Sequence, residues 1–343
     1  MKARKEKYMS KKLFDYVIGN PPYQKEKTGK SNTAQPIYHL FMEEANKVSA
    51  RTELIHPARF LFNAGMTPEE WNQKMLNDPH FKVLKYERNT EKVFVGPEIK
   101  GGVAITYYDN QKTYDPIVVY TDVPIKKDIL EKVQSKLDES MKGIAFVASK
   151  FDVQKLGEDY PKYRKHEKRM SSNVLEFDCF HDEKEGDDVG VFGKYKNKRA
   201  LRYINAKYVD LYDENLEKYK IVISKASGEG EFGETLTKPE LLPPHVGFTH
   251  TFLGLGGFDT KEEADNALKY IKTKFARTML GVLKVTQDIN DKKLKYIPLQ
   301  NFKPDSDIDW SKSISEIDQQ LYKKYELNES EINFIEANVK EMA

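Results

Sequence analysis

The stretch FDYVIGNPPYQ, residues 14–24, sets an amide, two prolines and a phenol side by side near the start of the chain. An apolar run reaches Asn20, two prolines follow, and Tyr23 comes next. Pro21 biases Asn20 towards an extended backbone and Pro22 does the same to Pro21, so the chain turns a rigid corner that no helix can absorb. Such a corner holds two acceptors close together, the Asn20 side-chain oxygen and the Pro21 carbonyl, beside a flat ring. This set suits an exocyclic amine on a nucleobase, whose lone pair is delocalised into its ring. Accepting both amine hydrogens favours a pyramidal nitrogen and stabilises the positive charge that develops as it attacks a methyl group. Tyr23 would hold the base by stacking. The chemistry calls for no metal.

The elements around the corner must place it. Leu13 to Gly19 are mostly large, apolar or aromatic with little alternation, the pattern of a parallel strand covered on both faces. The corner then lies at the carboxyl end of a buried strand, where open α/β sheets put their ligands. PIYHLFMEEANKV, residues 36–48, places Ile37, Leu40, Phe41, Ala45 and Val48 at helical spacing and predicts a crossover helix. TELIHPARFLF predicts the next strand, with His56 as a strand-end residue in preference to a catalytic base. TPEEW predicts a helix start with Thr67 as cap, Pro68 in the first position and Glu70 reaching back. FKVLKYERN and GGVAITYYD predict a strand pair joined by TEKVFVGPEIK.

At these residues the chain resembles a known family. NPPY looks like the catalytic motif of amino-group methyltransferases that use S-adenosylmethionine. Its surroundings resemble the large Eco57I-like adenine-N6 DNA methyltransferases of restriction-modification systems. The resemblance implies that Asn20 and the Pro21 carbonyl accept from the target amine at the corner that Pro22 stiffens. It further implies that Phe94 stacks on an extruded adenine opposite Tyr23, and that Asn20 is shared with the cofactor. Similar tetrapeptides occur in enzymes that methylate rRNA bases or a protein glutamine, which remains an alternative reading.

The resemblance also implies a glycine-rich cofactor loop before the NPPY strand. Only 12 residues precede Leu13, fewer than the roughly 30 of a βαβ unit. FLGLGGF, residues 252–258, fits an F-x-G-x-G pattern, but His245, Gly247 and His250 interrupt the strand that would lead into it. Moreover, residues 257–280 followed by YIPLQNF resemble the family's recognition segment. The cofactor half is therefore expected in a partner chain or in a missing N-terminal segment, leaving the NPPY strand with a bare apolar edge.

The predicted fold class is α/β, a partial Rossmann-like methyltransferase sheet over 1–115. An α+β target-recognition domain over 116–305 follows, with C-terminal helices over 306–343 packing on it. With 56 basic and 54 acidic residues and a formal charge of +2, affinity for nucleic acid must come from local patches. The two candidate patches are KYRKHEKRMSS, 162–172, and FGKYKNKRALRYI, 192–204. The second gathers Lys194, Lys196, Lys198, Arg199 and Arg202 around Tyr195 and contains no acid, so it is the expected contact to double-stranded DNA. Ser313 with Glu316 and Asn328 with Glu331 are spaced as capping boxes for the last two helices. Cys179 is the sole cysteine, which excludes an intramolecular disulfide and a four-cysteine zinc site. No apolar stretch or signal peptide calls for a membrane, and a cytoplasmic location is expected. These expectations describe a site-specific DNA adenine methyltransferase, or half of one. A DNA-binding specificity module without catalysis is the rival.

Overall fold

The computed structural model describes residues 12–25, 34–95, 99–211 and 215–342. The chain divides into two compact units, Met1–Lys127 and Asp128–Ala343. The division falls about a helix later than position 115, in the helix Pro124–Gln134.

The first unit holds strands β1 (Phe14–Gly19), β2 (Ser49–Pro57), β3 (Phe81–Glu87) and β4 (Val103–Asp109) in one sheet of order β1-β2-β4-β3. Only the β1–β2 pair is parallel, with Val17 opposite Thr52 and Gly19 opposite Leu54; β4 runs antiparallel to both β2 and β3. Helix α1 (Tyr38–Val48) makes the crossover from β1 to β2, and α2 (Glu69–Leu76) leads to β3. Phe60, Leu61, Trp71, Leu76, Phe81 and Ala104 make up much of the core.

Three sequence expectations are corrected here. β1 is parallel as its composition suggested and, as expected without the cofactor half, stands at the edge of the sheet, but it is not covered on both faces: it is largely exposed, with Ile18 at 74% and Leu13 just before it at 62%. Its apolar side chains fit a two-faced cover that the described residues do not supply. Helix α1 turns Tyr38, His39 and Met42 inward and leaves Leu40 and Phe41 exposed; ring stacking of Tyr38 on His56, 5.5 Å apart, outweighs the apolar stripe. Thr67 does not cap α2, because its hydroxyl donates to the Asn72 side chain at 2.8 Å.

The second unit follows helix α3, the junction helix Pro124–Gln134, and contains two further sheets. One has the order β10-β9-β12-β5, made of Glu240–Leu242, Tyr219–Ser224, Phe252–Phe258 and Ala145–Phe146. The other has the order β11-β7-β8-β6, made of Val246–Phe248, Val189–Tyr195, Lys198–Ile204 and Phe180–His181. A short helix α4 (Val153–Asp159) packs beside the second sheet's core, and α5 (Lys261–Lys272) and α6 (Lys274–Leu283) follow β12. The last two helices, α7 (Ile314–Lys324) and α8 (Glu329–Asn338), both start with complete capping boxes and belong to the same compact unit. Asp318 of α7 accepts from the backbone N–H of Lys274 and Phe275 at 3.0 and 2.8 Å and so ties α7 to the start of α6. Burial holds its carboxyl up at about 6 even against those donors.

Candidate functional site

The parallel pairing of β1 and β2 sends both carboxyl ends to one side of the sheet, and a cavity of about 400 Å³ opens there. That size lies within the usual range for a small-ligand pocket. Asn20 and Tyr23 follow β1 into its wall, Pro57 and Arg59 come from the end of β2, and Phe94 comes from the β3–β4 connection. Three of the five residues expected to act together therefore line one space. Asn20 is exposed, whereas Pro21 and Tyr23 are half-buried and Pro22 faces solvent.

Local hydrogen bonds hold this geometry. The Tyr23 carbonyl accepts from Ile37 N–H at 3.0 Å, and Lys25 N–H donates to the Gln35 carbonyl at 2.9 Å. The proline corner is thereby clipped to the chain entering α1. On the opposite wall, Asn89 caps a single 3₁₀ turn by accepting from Glu91 N–H at 3.1 Å, and Phe94 N–H closes onto the Thr90 carbonyl at 2.8 Å. Phe94 is half-buried, and Val95 beside it is fully exposed.

Burial keeps the tyrosines of the cavity wall, and the histidine behind it, uncharged. The Tyr23 hydroxyl is buried without a well-formed hydrogen bond. Burial pushes its phenol pKa up, and the neighbouring Asn20 side chain pulls it partly back. Burial likewise pushes Tyr38 up to about 12, opposed by Thr67 and Arg59. Behind the wall, His56 is fully buried, with Nδ1 3.2 Å from the Pro57 carbonyl and Nε2 2.8 Å from the Thr106 hydroxyl. A carbonyl only accepts, which places the proton on Nδ1 and makes Nε2 the acceptor. Burial lowers this imidazole to about 4, so at neutral pH it is an uncharged brace.

Tyr38 and Arg59 were not singled out from sequence. Arg59 donates through Nε to the Lys100 carbonyl at 2.6 Å and supplies the cavity with a positive charge. Its signal was available in principle, since it stands two residues beyond the end of the strand parallel to β1.

In the second unit the basic stretch 192–204 folds as the hairpin β7–β8. Lys196 and Asn197 form its two-residue turn with φ of 47° and 63°, the positive values that suit the twist of the flanking strands. Lys194, Lys196 and Lys198 are exposed near the tip. The two arginines are held by the protein itself, which corrects the expectation that they face DNA. Arg199 donates to the Lys238 and Thr237 carbonyls and to Ser224 Oγ at 2.6 to 3.1 Å. Arg202 donates to Asp182 and to the Leu175 and Phe180 carbonyls, and its guanidinium lies 4.5 Å from the centre of the Tyr195 ring. Of the expected DNA set, the three lysines remain as the outward-facing charges, and Tyr195 is engaged with Arg202.

Residues 2–94 match the model of the Eco57I restriction-modification methylase family. The matched stretch contains β1, the NPPY corner, α1, β2 and the turn that presents Phe94. The chain is also similar to a solved structure of the Type IIL restriction-modification enzyme MmeI in complex with DNA. The identity is 9% and the TM-score 0.38 over 94% of this chain and 56% of that one. The chain thus spans little more than half the length of that enzyme. No curated protein matches the sequence.

Methylases of this kind imply S-adenosylmethionine, and the described residues do not complete a site for it. FLGLGGF is the interior strand β12, paired on one side with β9 and on the other with β5. Its Gly254 is needed there because a Cβ would lie 2.6 Å from the Phe146 ring and 2.7 Å from the Phe248 ring. The rings close in at that residue, and the stretch is built as an interior strand rather than as a loop. Among the described residues no cluster of metal-binding side chains occurs and no helix is long and apolar enough to cross a membrane.

Proposed function

We propose that this chain carries the base-binding and recognition portion of a restriction-modification methyltransferase whose target is the N6 amine of an adenine in duplex DNA. The observation that carries the proposal is the convergence of Asn20, Tyr23 and Phe94 on one cavity at the carboxyl ends of a parallel strand pair. Asn20 Oδ1 and the Pro21 carbonyl accept the amine hydrogens, and the rings of Tyr23 and Phe94 hold the extruded base. Extrusion costs a few kcal/mol, which stacking and the amine contacts offset. Arg59 meets the nucleotide's phosphate. The exposed lysines of the β7–β8 hairpin hold the duplex backbone.

S-adenosylmethionine would supply the methyl group. Its binding segment is proposed to pair along the outer edge of β1, where Phe14, Tyr16 and Ile18 stand exposed. The same incompleteness favours a second reading, in which this chain alone recognises DNA without catalysis. Methylation by the chain together with its adjoining segment separates the two, and binding of S-adenosylmethionine by this chain alone would contradict both.

The test of the main proposal is to co-express the chain with the coding segment adjoining it and map N6-methyladenine by single-molecule sequencing. Asn20→Ala should abolish methylation of the motif seen with the wild type while leaving duplex affinity within about twofold, because the base amine is one contact among many to phosphate. Equal loss of methylation and affinity would contradict the assigned role, and methylation of another base or of protein would contradict the substrate.

A further inference from the structure

Four segments of the second unit bring like charges together. Residues 149–151 and 168–170 form a short antiparallel ladder, with Met170 N–H donating to the Ser149 carbonyl at 2.9 Å and Phe151 N–H to the Lys168 carbonyl. This sets Lys150 directly opposite Arg169. His250 N–H then donates to the Met170 carbonyl at 2.8 Å, and Lys225 N–H to the Thr251 carbonyl at 3.0 Å. Backbone bonds thus fix Lys150, Arg169, Lys225 and His250 as neighbours, and like charges held opposite one another cost stability.

Nearby acids only partly balance them. Glu167 pairs with Arg169 at 3.1 Å, and Asp291 acts on Lys225 from a distance. Among the described residues no carboxylate lies within ion-pair distance of the Lys225 or Lys150 ammonium. The contrast with Lys220, five residues earlier, is informative. That wholly buried ammonium is satisfied by the carbonyls of Leu216, Pro243 and Val246 at 2.9 to 3.4 Å. Lys225 is half-buried and has no such cage. Burial and then Arg169 lower its pKa, and burial, Lys225 and Arg169 lower that of His250. The protonated forms of Lys225 and His250 are thus disfavoured by their cationic neighbours. An arrangement that costs stability and leaves charge unspent is explained by an anion that completes it.

We infer that Arg169, Lys225 and His250, with Lys150 at the margin, form a phosphate-binding site that clamps a backbone phosphodiester of duplex DNA. The cluster is made of cationic side chains at the ends of strands and loops, the type that meets phosphate, so it positions the duplex and does not read its sequence. The assignment rests on the proposed role of this unit in holding DNA. It names a contact surface separate from the β7–β8 hairpin.

The test is anisotropy of a fluorescein-labelled duplex with the whole chain over a series of KCl concentrations, with Lys323→Gln on the exposed face of α7 as a control of equal charge change. Lys225→Gln should weaken binding about fivefold near 0.15 M KCl and make the slope of log K against log salt less negative by about 0.9, the loss of one phosphate contact. Arg169→Gln should do the same. An anion restores the proton to His250, so wild-type affinity should rise as the pH is lowered from 8 to 6, and His250→Gln should flatten that rise against the unchanged background of Lys225, Arg169, Glu167 and Asp291. Thermal unfolding keeps the result interpretable, because removing one member of a repelling set should leave the Tm of Lys225→Gln equal to or above that of wild type. Variants that bind like the control overturn the site while leaving the DNA reading intact, and a wild type that binds no duplex overturns both. Competition by inorganic phosphate at millimolar levels with no salt-slope change in the variants would identify a free-anion site and overturn the DNA assignment.

Discussion

His56 offers the sharpest physical test of how the cavity wall is held. Its imidazole is fully buried, stacks on Tyr38 at an interplanar angle of 7°, and is bonded at both nitrogens. Burial drops its pKa from 6.5 to about 4. The unfolded chain therefore takes up a proton near pH 6.5, whereas the folded chain refuses it until about pH 4. Stability from this group is complete above pH 6.5, is lost as the pH falls from there to about 4, and changes no further below. A displacement of that size corresponds to about 3 kcal/mol.

The perturbation is His56→Gln, which retains a donor for the Pro57 carbonyl and an acceptor for the Thr106 hydroxyl but cannot titrate. The assay is urea unfolding between pH 8 and 4, followed by fluorescence of Trp71, whose buried indole sits 5.1 Å from Phe60 in the same core. Replacing Trp310 by Phe removes the other tryptophan. At pH 8 the variant should be less stable by about 1–2 kcal/mol from imperfect packing and bonding. The difference should then move by up to about 3 kcal/mol on acidification, so that the variant becomes the more stable of the two at low pH. His39 is also lowered by burial, and Asp109 is held below its ordinary value and loses its contribution as the pH falls. Both remain in the variant, so the difference between the two proteins isolates His56. A stability gap that stays constant from pH 8 to 4 would refute the account of a neutral, buried brace.

Two further outcomes are expected. Cys179 is 4% exposed and burial pushes its thiol up to about 12, so the native protein should react with a thiol reagent only as fast as the second unit opens, and fast stoichiometric labelling in native buffer would contradict this. Phe14 and Ile18 lie on one face of β1 with their side chains exposed. Phe14→Lys with Ile18→Lys should reduce self-association of the isolated chain in sedimentation velocity and abolish co-purification with the cofactor-bearing segment. Unchanged co-purification would show that this edge is not the joint.

Legibility in the sequence followed the range of the interaction responsible. The capping boxes at Ser313 and Asn328 depend on residues three apart, and both form as the spacing predicts. The β3–β4 pair and the crossover through α1 also follow from local patterns. What failed depended on partners far along the chain. Leu40 and Phe41 look like a core stripe until Tyr38 finds His56 on another strand. Thr67 looks like a cap until Asn72 offers it a partner. For FLGLGGF the sequence already speaks against a cofactor loop, but the reason for Gly254, the approach of Phe146 and Phe248 from two other strands, is visible only in the fold.

The same distinction separates the readable from the unreadable parts of the site. Asn20 through Tyr23 are contiguous, and two prolines restrict the backbone whatever the rest of the chain does, so their acceptors can be placed before any fold is known. Phe94 could be approached only through a resemblance, because a half-buried phenylalanine after a turn has no chemistry of its own. Arg59 and Tyr38 enter the cavity through the parallel register of β1 with β2, a pairing between residues more than 30 apart. For arginine the consequence is strongest, since charge alone does not tell a side chain that binds DNA from one that binds its own carbonyls. Arg199 and Arg202 sit in the most basic stretch of the chain and are consumed internally, while Arg169, in a mixed stretch with Glu167, is set against Lys150 and Lys225. The better guide to a phosphate contact is therefore unspent charge, which only the folded chain defines.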